Sequence, residues 1–499
     1  MNISKKSLFK LFVIATIVFL TLCCLSIGAL AAVTDNTDTE IKNVAITPNY
    51  ANLKDNNETT VATVNTLNIK SETPIDSIYI KFRNTTPDIS VQAGDKAADL
   101  TTHYLNQYYK LPSEISGANE ITINFGANTV ISDVYAFSEG ELPQWVQLWE
   151  EPYTKADLLL FVSHPGDENT FHAGILPYYS TVKEYRVQIV TFVDHTGMAP
   201  TRTQEFLSSL WDSGITHYPV LNSYDYAYAT KYDTAINVLK NQNVTEENVY
   251  EFQTEMIRRF KPLVIIGPAL KANTVSVGYQ GLVLVNANTL AKAVEFASDP
   301  TKYPSSTEKY GTWAPKKVYF HLYEENKITV DWDKTYTELD GKSPFTVSQS
   351  SLQYYKSNPK ANTITRFLAP TTMASQIKTI SPCEYGLYFT TVGDDVNKND
   401  LFENVLSYGE QDKLEQERLE EEKRKEEAEE SKRVEESLKA ESESESIKAA
   451  EESKKRESER LAAKRAAEAS DPGVTVVIAV IVFIAAVAAL AMVLIKKLR

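Results

Sequence analysis

The 499-residue sequence predicts an α/β fold, a Rossmann-like parallel sheet covered by helices. An all-β sandwich is expected before this domain, and a charged helical stalk and a transmembrane helix after it. Three patterns carry the prediction. Segments of residues 33–143 alternate apolar and polar side chains, residues 144–406 alternate strand-like and helix-like segments, and the remainder divides into a charged tract and an apolar run.

Residues 1–32 have the pattern of a secretory signal peptide. Lysines come first, an apolar run continues to Leu30, and the exit is rich in small residues. An uncleaved anchor is the alternative, but the alanine-rich exit and the polar Thr34 favour cleavage. Cleavage would leave Cys383 as the one cysteine of the mature chain, so no intrachain disulfide is expected.

Residues 33–143 predict a β-sandwich. The segments 66–70, 77–82 and 121–125 alternate apolar and polar residues, which is typical of strands with one buried face. The segment 131–137 resembles the last strand of a discoidin-like, galactose-binding module. That likeness implies a sugar-binding domain, while a spacer or packing domain is the alternative.

Residues 144–406 predict parallel strands connected by helices. The expected strands are 158–162, 186–193 and 263–266, and the expected helices are 169–183, 202–213 and 244–260. Sites in such sheets lie at the carboxyl ends of the strands. Two polar segments occupy that position: S-H-P-G-D-E at residues 163–168, and Asp194-His195.

The segment 155–168 resembles the opening of the LmbE/PIG-L family of zinc-dependent N-acetylglucosaminyl deacetylases. Further matching segments hold their order over roughly residues 141–405: 202–205, 258–262, 313–323 and 392–396. The family motif is A-H-P-D-D-E, in which the histidine and the second aspartate bind zinc and the first aspartate is the base. The resemblance makes His164 and Asp167 metal ligands and places Gly166 at the base position.

The resemblance places the third zinc ligand of the family at Val283, which cannot bind metal. Catalytic zinc commonly has three protein ligands and a water, and amide hydrolysis needs a base within reach of that water. Zinc is therefore expected to bind weakly or not at all. His195 is a possible substitute ligand or a structural residue, and Glu168 and Asp194 are possible substitute bases or supporting residues. Arg202, in a matching segment, is a candidate substrate-binding residue.

The carboxyl-terminal part predicts a stalk and an anchor. Residues 407–472 place opposite charges four apart, as in a solvated helix, with a hinge expected at 441–446. A coiled coil is the competing interpretation, but the apolar residues sustain no heptad. Residues 473–495 predict a transmembrane helix, and the basic tail 496–499 is expected in the cytoplasm, which makes this a single-pass cell-membrane protein with an extracellular body.

The formal net charge of −15 and the pairing of basic with acidic residues exclude nucleic acid as an expected partner. The favoured hypothesis is a membrane-anchored, deacetylase-like protein that is catalytically impaired and binds glycans or cell-wall polysaccharide. One alternative is an active metal-dependent deacetylase with a rebuilt metal site. The other is a stalked adhesive or structural protein whose β domain does the binding.

Overall fold

The computed structural model describes residues 38–193, 200–222, 224, 229–271, 280–357, 371–467 and 482–486. The chain divides into two units, Met1–Gly409 and Glu410–Arg499. Within the first unit, we call residues 38–143 the β lobe and the described part of residues 144–409 the α/β lobe. The predicted signal peptide at residues 1–32 lies outside the described residues.

The β lobe is built from seven antiparallel strands. In chain order they are β1 Val44–Thr47, β2 Ala62–Ile75, β3 Ser77–Phe82, β4 Ile89–Ala93, β5 Lys96–Leu100, β6 Asn106–Lys110 and β7 Ala118–Phe137. The predicted two-sheet sandwich is corrected, because all seven belong to one sheet of order β1-β2-β7-β3-β6, with β4 pairing β7 and β5. The long β7 pairs with β2, β3 and β4 and thereby joins these strands into one sheet. The alternation of apolar and polar residues predicts strands, but not which strands pair.

The α/β lobe contains a second seven-stranded sheet. Its strands are β8 Leu158–Val162, β9 Val187–Thr191, β10 Val220–Leu221, β11 Val264–Gly267, β12 Lys317–His321, β13 Lys327–Thr329 and β14 Glu384–Thr390. The order is β10-β9-β8-β11-β12-β14-β13. The first five strands in this order, β10, β9, β8, β11 and β12, run parallel, whereas β14 is antiparallel to both β12 and β13. The predicted parallel sheet is therefore corrected to a mixed one, since an apolar pattern indicates a strand but not its direction.

Helices cover this sheet, and a buried core lies between. They are α1 Asp167–Thr170, α2 Pro200–Asp212, α3 Tyr232–Asn241, α4 Glu246–Phe260, α5 Gln280–Ser298, α6 Pro304–Tyr310 and α7 Pro344–Ser351. Short 3-10 turns lie at Thr337–Leu339, Leu352–Tyr354 and Ala374–Gln376 of this lobe and at Ala51–Lys54 of the β lobe. All five residues of β8 are buried. Leu159 and Phe161 pack with α4 and α5, while Leu158 and Leu160 join the cluster that includes α2.

The helix predicted at residues 169–183 is interrupted. The structure has α1, then a turn, then a π-helix at Pro177–Val182. Gly174 has φ +97°, and a Cβ atom at this position would lie 2.5 Å from Cγ of Trp332. Close packing of a distant tryptophan therefore selects a glycine turn where apolar periodicity suggests a continuous helix.

Helix α2 is held against the β lobe by two buried glutamines. The side chain of Gln147 accepts a hydrogen bond from Asn106 Nδ2 at 2.8 Å and donates one to Ser208 Oγ at 3.1 Å. Gln204 Nε2 donates to the carbonyl oxygen of Phe82. Because α2 also borders the S-H-P-G-D-E loop, the β lobe contributes to the position of one wall of the candidate site.

Helix α8, Tyr408–Ala467, forms the charged tract. Ion pairs join residues four apart, as between Glu421 and Lys425 at 2.7 Å. The predicted hinge at residues 441–446 is wrong, because these residues are helical. Alternating serine and glutamate weakens helix propensity only slightly, and the surrounding helix continues through them.

The predicted transmembrane helix at residues 473–495 and the single-pass membrane localisation are corrected. Among the described residues, no helix combines the length and the apolar character that crossing a bilayer requires. Helix α8 is long but charged, and the described part of the predicted span is residues 482–486. The other residues of that span lie outside the described part.

Candidate functional site

The loop of residues 163–168 connects β8 to α1 at the carboxyl edge of the parallel strands. Gly166 has φ +106° and ψ −18° and precedes the first residue of α1. Its N–H donates to Glu168 Oε2 at 2.7 Å, and its carbonyl accepts from Thr170 Oγ1 at 2.7 Å. Residues with a Cβ atom rarely adopt this φ. An aspartate at this position would therefore require the loop to change its backbone conformation.

The two predicted metal ligands lie together in this loop. Asp167 Oδ2 accepts a hydrogen bond from the His164 backbone N–H at 2.8 Å and lies 3.4 Å from His164 Nδ1. Two ligand atoms about 2.0–2.1 Å from one tetrahedral zinc ion lie roughly 3.3 Å apart. The separation of His164 Nδ1 and Asp167 Oδ2 therefore suits two of the four coordination positions of a single zinc ion. The described residues contain no group of three or more His, Cys, Asp and Glu side chains suited to a metal. The described part of the site thus does not fit a three-ligand catalytic zinc.

The predicted third-ligand position, Val283, lies near the first turn of α5. One turn later, Asn286 Nδ2 donates to Ser163 Oγ at 3.1 Å, and Gln253 Nε2 of α4 donates to Asn286 Oδ1 at 2.8 Å. This buried chain of amides aligns α5 with the loop. Val283 therefore belongs to the helix that borders the loop, but its side chain has no atom that binds a metal.

Glu168 is fully buried and ties the loop to two other segments. Its Oε1 accepts hydrogen bonds from Ser209 Oγ of α2 at 3.1 Å and from the hydroxyl of Tyr355. Burial raises the pKa of Glu168 to about 7, although the hydrogen bonds from Tyr355 and Gly166 oppose that rise. In this position the carboxylate connects the loop, α2 and the segment around Tyr355 through hydrogen bonds.

Arg202 of α2 lies beneath the same segment. Its Nε donates to the carbonyl of Pro165 at 3.1 Å, and its guanidinium lies 4.3 Å from the centre of the Tyr355 ring. Its Nη1 is 3.6 Å from Glu205 Oε2, and Glu205 Oε1 accepts the backbone N–H of Lys356 at 2.7 Å. The predicted substrate-binding arginine is thus buried and holds both the loop and the Tyr355 segment.

Asp194 and His195, the predicted substitute base and ligand, lie outside the described residues. Sequence reasoning assigned no role to His321, although it ends β12 at the same edge of the sheet as the loop. Its ring centre lies 5.4 Å from that of His172, and its Nε2 is 2.9 Å from the Ser381 carbonyl oxygen. Burial lowers the pKa of His321 to about 4 and that of His172 well below its usual range. Because sites in such sheets lie at the carboxyl ends of parallel strands, the position of His321 at the end of an apolar strand pattern was a usable signal.

No family model matches the sequence, and no curated protein does. Among solved structures, the N,N'-diacetylchitobiose deacetylase from Pyrococcus horikoshii aligns at 14% identity and a TM-score of 0.29, over 47% of this chain and 84% of that one. The hydratase GalB from Pseudomonas putida aligns at 12% identity and 0.32, over 48% and 98%. CpGH89CBM32-6, produced by Clostridium perfringens, aligns at 19% identity and a TM-score of 0.16, over 20% of this chain and 95% of that one. At this level of identity and TM-score, these likenesses do not assign the chain to a family.

Proposed function

We propose that this chain is a deacetylase-like protein with an impaired catalytic site that binds glycans or cell-wall polysaccharide. The conformation of Gly166 carries the proposal. The position expected to supply the base has no side chain, and its φ of +106° disfavours any residue that would supply one. The buried Glu168, held by Ser209 and Tyr355, is poorly placed to replace it.

We also propose that zinc binds to this chain weakly or not at all. His164 and Asp167 would hold it, and a bound zinc ion would polarise a carbonyl oxygen or a water molecule. Two protein ligands leave a metal site exposed to competing water, so we expect low affinity. No hydrolytic step follows from this arrangement of residues.

An active hydrolase is the second candidate. The 3.4 Å separation of His164 Nδ1 and Asp167 Oδ2 favours it, because the pair is arranged as two ligands of one ion. His195 would then complete the metal site, and Asp194 or Glu168 would act as the base. This candidate requires near-stoichiometric zinc and turnover, whereas the binding protein requires neither.

The test combines three measurements on the purified chain expressed with added zinc: zinc content, acetate release from N-acetylglucosamine oligomers, and calorimetric binding to those oligomers and to cell-wall polysaccharide. We expect binding, zinc well below one ion per chain and no acetate release. Acetate release that His164→Ala abolishes and His103→Ala preserves would establish the hydrolase instead. The exposed His103 of the β lobe is a matched control. If the chain binds no carbohydrate tested, the binding proposal fails.

A further inference from the structure

A buried ion pair lies at the opposite end of β12 from the candidate site. Lys317 begins this strand, and Asp395 follows β14, the antiparallel neighbour of β12. Both side chains are 0% exposed, and Lys317 Nζ contacts Asp395 Oδ1. The hydroxyl of Tyr319, two residues along the strand, donates to Asp395 Oδ2 at 2.7 Å. Amine, carboxyl group and one hydrogen-bond donor therefore meet without access to water.

Complete burial changes the chemistry of such a pair. Removing two charges from water can cost more than their attraction returns, so burial favours a reaction that removes both charges. Amide formation between an ammonium and a carboxylate group is such a reaction, and its first step passes one proton from nitrogen to oxygen. Burial and the carboxylate of Asp395 raise the pKa of Tyr319, so its hydroxyl stays a hydrogen-bond donor.

We propose that Lys317 and Asp395 are joined by an intramolecular isopeptide bond. The lone pair of the neutral Nζ attacks Cγ of the protonated carboxyl group, and a C–N bond forms. Oδ1, in contact with Nζ, takes a proton from it and leaves as water, which breaks the Cγ–Oδ1 bond. Oδ2, held by Tyr319, becomes the amide oxygen. One water molecule is released and no other reactant is needed.

The surroundings hold the reacting groups in place. Glu403 accepts backbone N–H groups of the three residues that follow Asp395, at 2.6–3.0 Å, and thereby orders this loop. Fixed contact between two reactants replaces an encounter in solution and can supply a large effective concentration. The bond would tie β12 to the chain beyond β14. This covalent cross-link would constrain the lobe as a disulfide does, in a lobe whose described cysteine, Cys383, is free.

The test is mass spectrometry of the wild-type full chain, digested with trypsin after denaturation. We expect a branched peptide that joins the Lys317 and Asp395 segments and is lighter by one water molecule than the two linear peptides together. Recovery of both linear peptides at full mass, with cleavage after Lys317, would overturn the proposal. Because this measurement uses the wild-type chain, it does not depend on the folding of a variant.

Variants then assign the residues. Asp395→Ala should remove the branched peptide, whereas Asp394→Ala, at the exposed neighbouring position, should retain it. Tyr319→Phe should slow formation of the branched peptide about 10²-fold, the usual effect of losing one donor to a developing oxyanion. A branched peptide that still contains Lys317 in the Asp395→Ala chain would overturn Asp395 as the partner.

Discussion

One backbone angle at Gly166 limits what the candidate site can do. Gly166 precedes α1 in a backbone conformation that favours glycine, its N–H donates to Glu168, and its carbonyl oxygen accepts from Thr170 of α1. Asp167 and Glu168 turn their carboxylates back toward the same loop. The loop thus uses its own polar groups to keep its shape, which leaves few of them for a reacting molecule.

Substituting Gly166 by alanine should therefore destabilise the fold. We expect Gly166→Ala to lower the free energy of unfolding by about 1–3 kcal/mol, the cost of holding a residue with Cβ at a disfavoured φ. Denaturant titration measures the change. Gly409→Ala is the matched control. Gly409 does not have a positive φ, and a Cβ atom at this position would lie 4.0 Å from Ser407 Oγ, an ordinary van der Waals contact. An unchanged unfolding midpoint in Gly166→Ala would contradict the assigned backbone conformation.

At the scale of single elements, Arg258 of α4 caps the carboxyl end of α5. Its buried guanidinium donates to the carbonyl oxygens of Phe296 and Ala297 at 2.9 and 3.2 Å, and to that of Asp299 at 2.7 Å. The last carbonyls of a helix have no partner within it. One side chain therefore satisfies the end of α5 and joins it to α4.

Removing this cap should cost more than an ordinary surface change. We expect Arg258→Met to lower the free energy of unfolding by more than about 2 kcal/mol, because several buried carbonyls lose their donor. Arg259→Met is the matched control, since Arg259 is only partly buried and lies over the Phe260 ring at 4.9 Å. Calorimetric unfolding compares the two variants. Equal losses would show that the cap contributes nothing specific.

Element types were largely predictable from the sequence, and their continuity was not. The strand patterns at residues 77–82 and 158–162 correspond to β3 and β8. The wholly apolar β8 is buried throughout, as its pattern indicates, whereas all six residues of β3 are buried although its alternation predicts one buried face. The break in the helix predicted at residues 169–183 depends on Trp332, far along the chain, which packs onto Gly174. No local pattern contains that contact.

At the scale of the whole molecule, two buried histidines connect stability to pH. His172 and His321 face Tyr385 and Phe171, and Asp167 and Glu384 are the nearby carboxylates that raise the pKa of His321 against the larger effect of burial. Both histidines have a lower pKa in the folded chain than in the unfolded chain. Their contribution to stability is therefore complete above the unfolded value near 6.5 and is lost as pH falls toward the folded value.

Acid should accordingly weaken the fold through these residues. For His321, the fall from 6.5 to about 4 corresponds to roughly 3 kcal/mol lost between pH 7 and pH 4. We expect His321→Asn to show a shallower decline of unfolding free energy with falling pH than the wild type. His103→Asn, at an exposed site, should keep the wild-type slope. Identical slopes for all three chains would exclude the histidine pair as a source of acid sensitivity.

Residue type and local periodicity were enough to predict most strands and helices, the strand-end position of the S-H-P-G-D-E loop and the missing base side chain at Gly166. The direction of β14, the hydrogen bond of the buried Glu168 with Tyr355 and the contact of Lys317 with Asp395 became known from the folded chain alone. The partners of these contacts are 187 and 78 residues apart. Packing of the whole chain brings them together, and no local pattern specifies which distant residues will meet.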